Sequence, residues 1–406
     1  MMTVVDSKIV LSDRVQRVSM SPNAAAKQLT NSLKEAGVDI ADLTTGEPDF
    51  DTPDHIKQAA YAAIKRGETK YTPTPGIKAL RQSVQRKLLR ENNLPFDADH
   101  IVIANGAKQI IFNAFAATLN DGDEVLVPVP YWPTFPDSVR FNGGIPVFLN
   151  CPIEQGYKLT PTQLEQAITS RTRWIILNNP GNPSGAVYTA DELSALAKVL
   201  RRHPQVLVML DELYEHVLFD GRQHVSLLNL AADLRERTLL VGGVSKTYAM
   251  TGWRIGYGAG PKALTQAMAV VQSQNSSGAS SVSQAAAVAA FDGGLEFIKP
   301  QVAAYQARRD VLVDTLSAVD GLKLLRPDGA FFIFCHCEGL LGRQRTDGKT
   351  LESESDVMNF LLESGVSGVS GSAFGLSPYF RLSIATEFDT VAEAGRRIAA
   401  ACALLK

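Results

Sequence analysis

Little in this chain of 406 residues points to a specialised environment. Its 4 cysteines, Cys151, Cys335, Cys337 and Cys402, form no CxxC pair and no disulfide-scaffold spacing. The 6 histidines build neither HxxxH nor HExxH, so a zinc site has no support. Charge of one sign is scarce too: 40 Lys+Arg against 42 Asp+Glu leave a formal net charge of −2. A dedicated nucleic-acid or membrane-surface protein carries a basic surplus, and this balance argues against both. The uncharged stretch Ala263 to Phe291 could span a bilayer by length alone. It holds Gln272, Ser273, Gln274, Asn275, Ser276 and Ser277 together, which a bilayer centre would exclude. The N-terminus meets charge at Asp6, Lys8 and Asp13 before an apolar h-region can form, which argues against a signal peptide. Neither GxGxxG nor GxxxxGK[ST] occurs, so dinucleotide and triphosphate cradles are disfavoured. No linker rich in Gly, Ser or Pro, no charge block and no repeat period divides the chain.

What remains is an ordinary globular composition, 45% hydrophobic, long enough for about two or three domains. Free cysteines fit a reducing cytoplasm. Apolar, β-branched runs at Ile101–Ala104, Glu124–Val129, Ile145–Leu149, Trp174–Leu177, Val206–Leu210 and Leu239–Val241 alternate with helical patterns at Lys108–Leu119, Ala190–Arg202 and Val225–Arg235. Such alternation predicts an α/β unit with a mostly parallel sheet sandwiched by helices. An earlier helix is expected to start at Thr52-Pro53-Asp54, with the threonine hydroxyl as its cap. After residue 296 the texture changes to a long helix (Gln301–Ser317), a strand at Ala330–Cys335, a helix at Ser355–Glu363, a strand near Phe380–Ile384 and a terminal helix. The expected division is therefore an N-terminal segment 1–45 packing on the second unit, a large domain 46–296, and a smaller α+β domain 297–406.

Three polar clusters follow predicted strands: Asn178-Asn179-Pro180-Gly181-Asn182-Pro183-Ser184-Gly185, Asp211-Glu212-Leu213-Tyr214, and Gly242-Gly243-Val244-Ser245-Lys246. In open α/β sheets ligands bind beyond the carboxyl ends of strands, so three clusters there suggest one shared pocket. Singly, each has a plain explanation: Asn-Pro and Gly-rich stretches are turns, Asp211 could cap a helix, and Lys246 is one of 40 basic residues. A fourth cluster, Ala104-Asn105-Gly106-Ala107-Lys108, places a glycine turn before a helix start, where free N–H groups and the helix dipole can cup an anion such as a single phosphate.

The stretch Gly243-Val244-Ser245-Lys246-Thr247-Tyr248-Ala249-Met250-Thr251-Gly252-Trp253-Arg254 resembles the cofactor-attachment motif of class I, fold type I, pyridoxal-phosphate-dependent aminotransferases. Gly46-Glu47-Pro48-Asp49-Phe50, Tyr71-Thr72-Pro73, Tyr131-Trp132, Asn182-Pro183-Ser184-Gly185, Asp211-Glu212-x-Tyr214 and Tyr379-Phe380-Arg381 resemble the same family in the same order, from Ser21 to Arg381. The branch most resembled is that of bacterial aspartate aminotransferases.

The resemblance implies a ping-pong, Schiff-base transfer of an amino group between an amino acid, aspartate or glutamate first, and a 2-oxo acid. An aromatic or prephenate aminotransferase, or a C–S lyase of the same fold, is the alternative. Lys246 would be the amine that pyridoxal 5′-phosphate condenses with, and the acid/base of the transfer. Asp211 would pair with the ring nitrogen, keeping the ring an electron sink. Asn182 and Tyr214 would hydrogen-bond the phenolic oxygen, and Trp132 would stack on the ring. Arg254, Gly106, Ala107 and Ser245 would hold the phosphate with Tyr71 of a partner subunit, which implies a homodimer. Arg381 would clamp the substrate α-carboxylate, Gly46 would offer it a backbone N–H, and Lys108 would meet the distal carboxylate of an acidic substrate. Gly243 stands where many relatives carry a phosphate-binding serine, a contact Ser245 is expected to replace. Asn23 and Phe135 stand near the substrate mouth where threonine and tyrosine are expected. No metal and no nucleic-acid partner is implied.

Overall fold

A seven-stranded sheet forms the centre of the computed structural model, which describes residues 9–20 and 22–406. Readings made on residues 1–8 and on Ser21 lie outside the described residues, as does the Asn23 side chain. Across the sheet the strands run Ile101–Ala104, Gly256–Ala259, Thr238–Gly243, Leu207–Asp211, Thr172–Asn178, Glu124–Val129 and Ile145–Asn150. All neighbouring pairs are parallel except those made by Gly256–Ala259, which is antiparallel to both its neighbours. Strands such as Trp174–Leu177 and Val208–Leu210 are buried on both faces, which is why they read as continuous apolar runs rather than alternating ones. The fold is the mostly parallel α/β arrangement expected from the alternating pattern.

Beyond it, a four-stranded antiparallel sheet joins Val369–Ser370, Tyr379–Ser383, Phe332–His336 and Lys323–Leu324. The helices Ile298–Ser317 and Phe388–Cys402 pack against each other over it. A separate apolar cluster gathers Leu312, Phe331, Phe380 and Ile398 there, and Ala41 and Leu43 join the same cluster. The two-residue strand Ala41–Asp42 pairs in parallel with Val366–Ser367. The short helix Asp13–Gln16 lies instead against Thr134–Phe141, a helix flanking the large sheet.

Three local expectations are corrected. The helix expected at Val225–Arg235 is a single turn, Leu227–Leu230, followed by a 3₁₀ segment Ala232–Arg237. The helix Asp54–Lys65 has Pro53 at its cap position with no side-chain bond, because the Thr52 hydroxyl donates to the Ala249 carbonyl (2.7 Å) and accepts from Trp253 Nε1 (3.1 Å). The strand expected at Ala330–Cys335 begins later, at Phe332, because Ala330 takes a positive φ of 54°. The uncharged stretch from Ala263 folds as two helices, Lys262–Asn275 and Ser281–Asp292, and among the described residues no helix is long and apolar enough to cross a membrane.

Candidate active site

The strand ends deliver the polar clusters to one place. Asn178 closes its strand next to Asp211, which closes the neighbouring one, and the two are register partners. The Asn178 side chain ties the loops together: its Oδ1 accepts from Asn182 N (2.8 Å) and its Nδ2 donates to the Asp211 carbonyl (3.1 Å). A cavity of about 450 Å³ opens there, lined by Gly46, Ala107, Lys108, Trp132, Asn182, Asp211, Tyr214, Ser245, Lys246, Arg254 and Arg381. Residues from seven separate sequence regions, including every one of the four polar clusters, thus line one cavity.

Electrostatics inside the cavity are set by burial. The half-buried Lys246 has its ammonium depressed to about 8, chiefly by desolvation, with the Arg381 and Arg254 charges adding to it against Glu47. Its Nζ donates to the Gly46 carbonyl at 2.6 Å. Asp211, buried, is raised to about 7 by desolvation; among the described residues the one hydrogen bond that favours its charged form comes from Leu213 N at 3.3 Å. An acid in that condition lacks a bonded cation, and a protonated ring nitrogen would supply one. Arg381 is almost wholly buried and depressed to about 10 by desolvation. Its guanidinium lies over the rings of Phe332 and Phe374 and donates to Asn182 Oδ1 and the Thr44 carbonyl, both at 3.0 Å. Its Nε has no acceptor among the described residues, although buried charges are ordinarily paired. A carboxylate in the cavity answers that need.

The anion cup forms at Gly106, which caps the helix Ala107–Thr118 at φ 87° without any side-chain cap, leaving first-turn N–H groups to a ligand. Arg254 reaches it from a left-handed residue (φ 56°), donating to the Thr251 and Asn105 carbonyls. A Cβ on Gly106 would meet Arg254 at 2.4 Å, and one on Gly256 would meet Ala107 N at 2.3 Å, so close approach requires both glycines. Gly243 has the same reason: a Cβ there would meet the Ile255 carbonyl at 2.9 Å. A serine there would have to push the neighbouring strand aside, whereas the buried Ser245 lines the cavity. These features fit a phosphate-bearing aromatic aldehyde with a basic ring nitrogen.

Two expected residues are not at the cavity wall. Gly106 acts beneath it, shaping the cup, and Tyr71 is fully exposed, away from this chain's cavity. Phe135 is buried edge-to-face on Trp132 and lines a small neighbouring void rather than the mouth. Sequence reading gave no role to Lys27, Thr44, Thr45, Glu47 and Thr251, which line the cavity as well. Glu47 accepts from Thr251 Oγ1 at 2.7 Å, a pair 204 positions apart that no local pattern announces.

A model of the family described as aminotransferase class I and II matches residues 38–398. The aspartate aminotransferase of Rhizobium meliloti (strain 1021) is 48% identical over 401 residues, covering 98% of each chain. A protein of Rickettsia felis named "Probable aspartate/prephenate aminotransferase" is 46% identical, covering 97% of this chain and 96% of its own. Among solved structures, the aspartate aminotransferase from Rhizobium meliloti superposes with a TM-score of 0.95 at 47% identity, over 98% of this chain and 100% of that one. That of Thermus thermophilus with maleate gives 0.90 at 38% identity, over 97% and 100%.

Proposed function

Because the chain belongs to the class I and II aminotransferases and its enzyme activity depends on pyridoxal 5′-phosphate, we propose that its substrates are acidic, aspartate or glutamate as donor and a dicarboxylic 2-oxo acid as acceptor. The observation that carries the choice is Lys108. It sits in the first turn of a helix, where the dipole end is already positive, and burial together with the Arg254 charge depresses its ammonium further. Its Nζ lies 5.1 Å from the Trp132 ring centre, at the rim of the cavity. A cation so placed needs an anion, and a substrate's distal carboxylate provides it. The Thermus thermophilus relative was solved with maleate, itself a dicarboxylate.

The cofactor supplies an electron sink. Lys246 would hold it and move the proton, Asp211 would pair with its ring nitrogen, and Asn182 with Tyr214 would bond its phenolic oxygen. Trp132 would cover the ring face. Arg254, Ser245 and the first-turn N–H groups after Gly106 would hold the phosphate, and Arg381 with the Gly46 N–H the α-carboxylate. Full exposure of Tyr71 supports a homodimer in which it reaches the partner's phosphate. The reading keeps the division at residues 45 and 296 and a cytoplasmic location. Relatives named for aspartate and prephenate support a second acceptor, prephenate, for the same site.

Lys108→Gln tests the substrate class. kcat/KM for aspartate and glutamate should fall by about 2–3 kcal/mol, the scale of a lost charge-assisted hydrogen bond, while alanine and phenylalanine are nearly unaffected. Equal losses for both sets would move Lys108 to the phosphate instead.

The Lys246 amine also predicts a pH profile. A neutral amine is the nucleophile, and a group depressed to about 8 loses its proton well below the 10.5 of a solvated lysine. The rate at which the apoprotein captures pyridoxal phosphate, followed by absorbance, should therefore climb with pH around a midpoint of 8. A rate that climbs only toward pH 10.5 would mean the amine is not desolvated.

A further inference from the structure

One basic residue of the cavity has no part in the scheme above. Lys27, on the helix Pro22–Glu35, lines the cavity together with Ala24 one turn earlier. Arg381, Lys246 and Arg254 bond backbone carbonyls, but the Lys27 ammonium pairs with the carboxylate of Asp42 and donates to Thr45 Oγ1 at 3.3 Å. Thr45 lines the cavity as well.

Asp42 is buried, and its two oxygens are used differently. Oδ1 is saturated from its own side of the fold, by Thr44 N (3.0 Å), Thr44 Oγ1 (2.6 Å) and Ser367 Oγ (3.4 Å). Oδ2 faces two ammonium groups, Lys27 in contact and Lys34 at 3.7 Å. Both lysine side chains keep much of their exposure, 42% and 43%, so both can move. A buried carboxylate served by a single lysine would be stranded if that lysine left. Served by two, it can release one. Lys27 is the one that lines the cavity, and an ammonium carries three donors, of which Asp42 and Thr45 engage two.

We propose that Lys27 is a specificity-determining residue that turns from Asp42 to the side-chain carboxylate of a bound dicarboxylic amino acid or 2-oxo acid, while Lys34 keeps Asp42 neutralised. The inference rests on the acidic-substrate reading and extends it: the distal carboxylate is read by two lysines of the same cavity, Lys108 from the helix Ala107–Thr118 and Lys27 from the helix Pro22–Glu35. Among the described residues, five basic ones line the cavity (Lys27, Lys108, Lys246, Arg254, Arg381) against two acidic ones (Glu47, Asp211), a surplus that favours an incoming dianion.

The test is titration calorimetry of the holoenzyme with succinate and with butanoate, which share a chain length and differ by one carboxylate. The quantity read is the ratio of their affinities. Lys27→Gln should lower the succinate preference by about tenfold, and Lys27→Arg should keep it. Asp42→Asn, which frees Lys27 from its acidic partner, should hold or raise the preference. The proposal is overturned if Lys27→Gln leaves the ratio at the wild-type value. It is equally overturned if Asp42→Asn lowers the ratio as far as Lys27→Gln does, since the pair would then only shape the wall. Lys108→Gln separates the two readings. If it lowers the ratio and Lys27→Gln does not, the Lys27 role alone fails. If wild type and both variants show no preference for succinate, the acidic-substrate reading fails with it.

Discussion

Lys246→Ala will bind pyridoxal phosphate and give no cofactor fixed to the chain on borohydride reduction. The phosphate cup does not depend on the lysine: it is built from the helix start after Gly106 and from Arg254, which is held by the Thr251 and Asn105 carbonyls. Binding therefore survives while the nitrogen that condenses with the aldehyde is gone. Turnover should fall by at least about 10³-fold, within the range that a positioned proton-transfer group contributes. Mass spectrometry of reduced, digested protein reads the outcome directly. A cofactor-bearing peptide from the variant would place the attachment on another lysine.

Asp211→Ala should fold and still lose most of its turnover. The carboxyl closes a strand in the middle of the sheet, and among the described residues its one hydrogen bond comes from the amide of Leu213. Folding loses little when it is removed, because the bond from the Asn178 side-chain amide goes to the Asp211 main-chain carbonyl, not to its carboxylate. A bound ring nitrogen, by contrast, loses its counter-charge in a desolvated place, at about 3–5 kcal/mol. Steady-state kinetics alongside a thermal melt distinguish the two. A kcat within about tenfold of wild type, equivalent to about 1.4 kcal/mol, would exclude Asp211 as the partner of that nitrogen.

The parallel strands were legible because burial on both faces demands unbroken Val, Ile and Leu. Gly256–Ala259 was not, since its sequence Gly-Tyr-Gly-Ala answers to close packing rather than to strand preference: a Cβ at Gly256 would strike Ala107 N. Thr52 misled for a related reason, its hydroxyl being claimed by Ala249 across 197 positions. The motif residues that line the cavity could be read because their chemistry confines each to one residue type within a short motif. The rest of the lining could not. Lys27, Thr44 and Glu47 take their meaning from partners that the fold brings together, and Lys27 looks like any solvated lysine until Asp42 is seen beside it.

The bond from Lys246 to the Gly46 carbonyl has a bearing on cofactor uptake. On the assignment proposed above, the nitrogen that attacks the aldehyde is the one that carbonyl holds, and Gly46 would act as an intramolecular competitor of the cofactor. A hydrogen bond from a charged donor contributes about 1.5–3 kcal/mol, and uptake has to displace it. Release is easiest once the amine is neutral, because the bond then loses its charge assistance at the moment the lone pair becomes available. Nucleophile and restraint are thus governed by one proton.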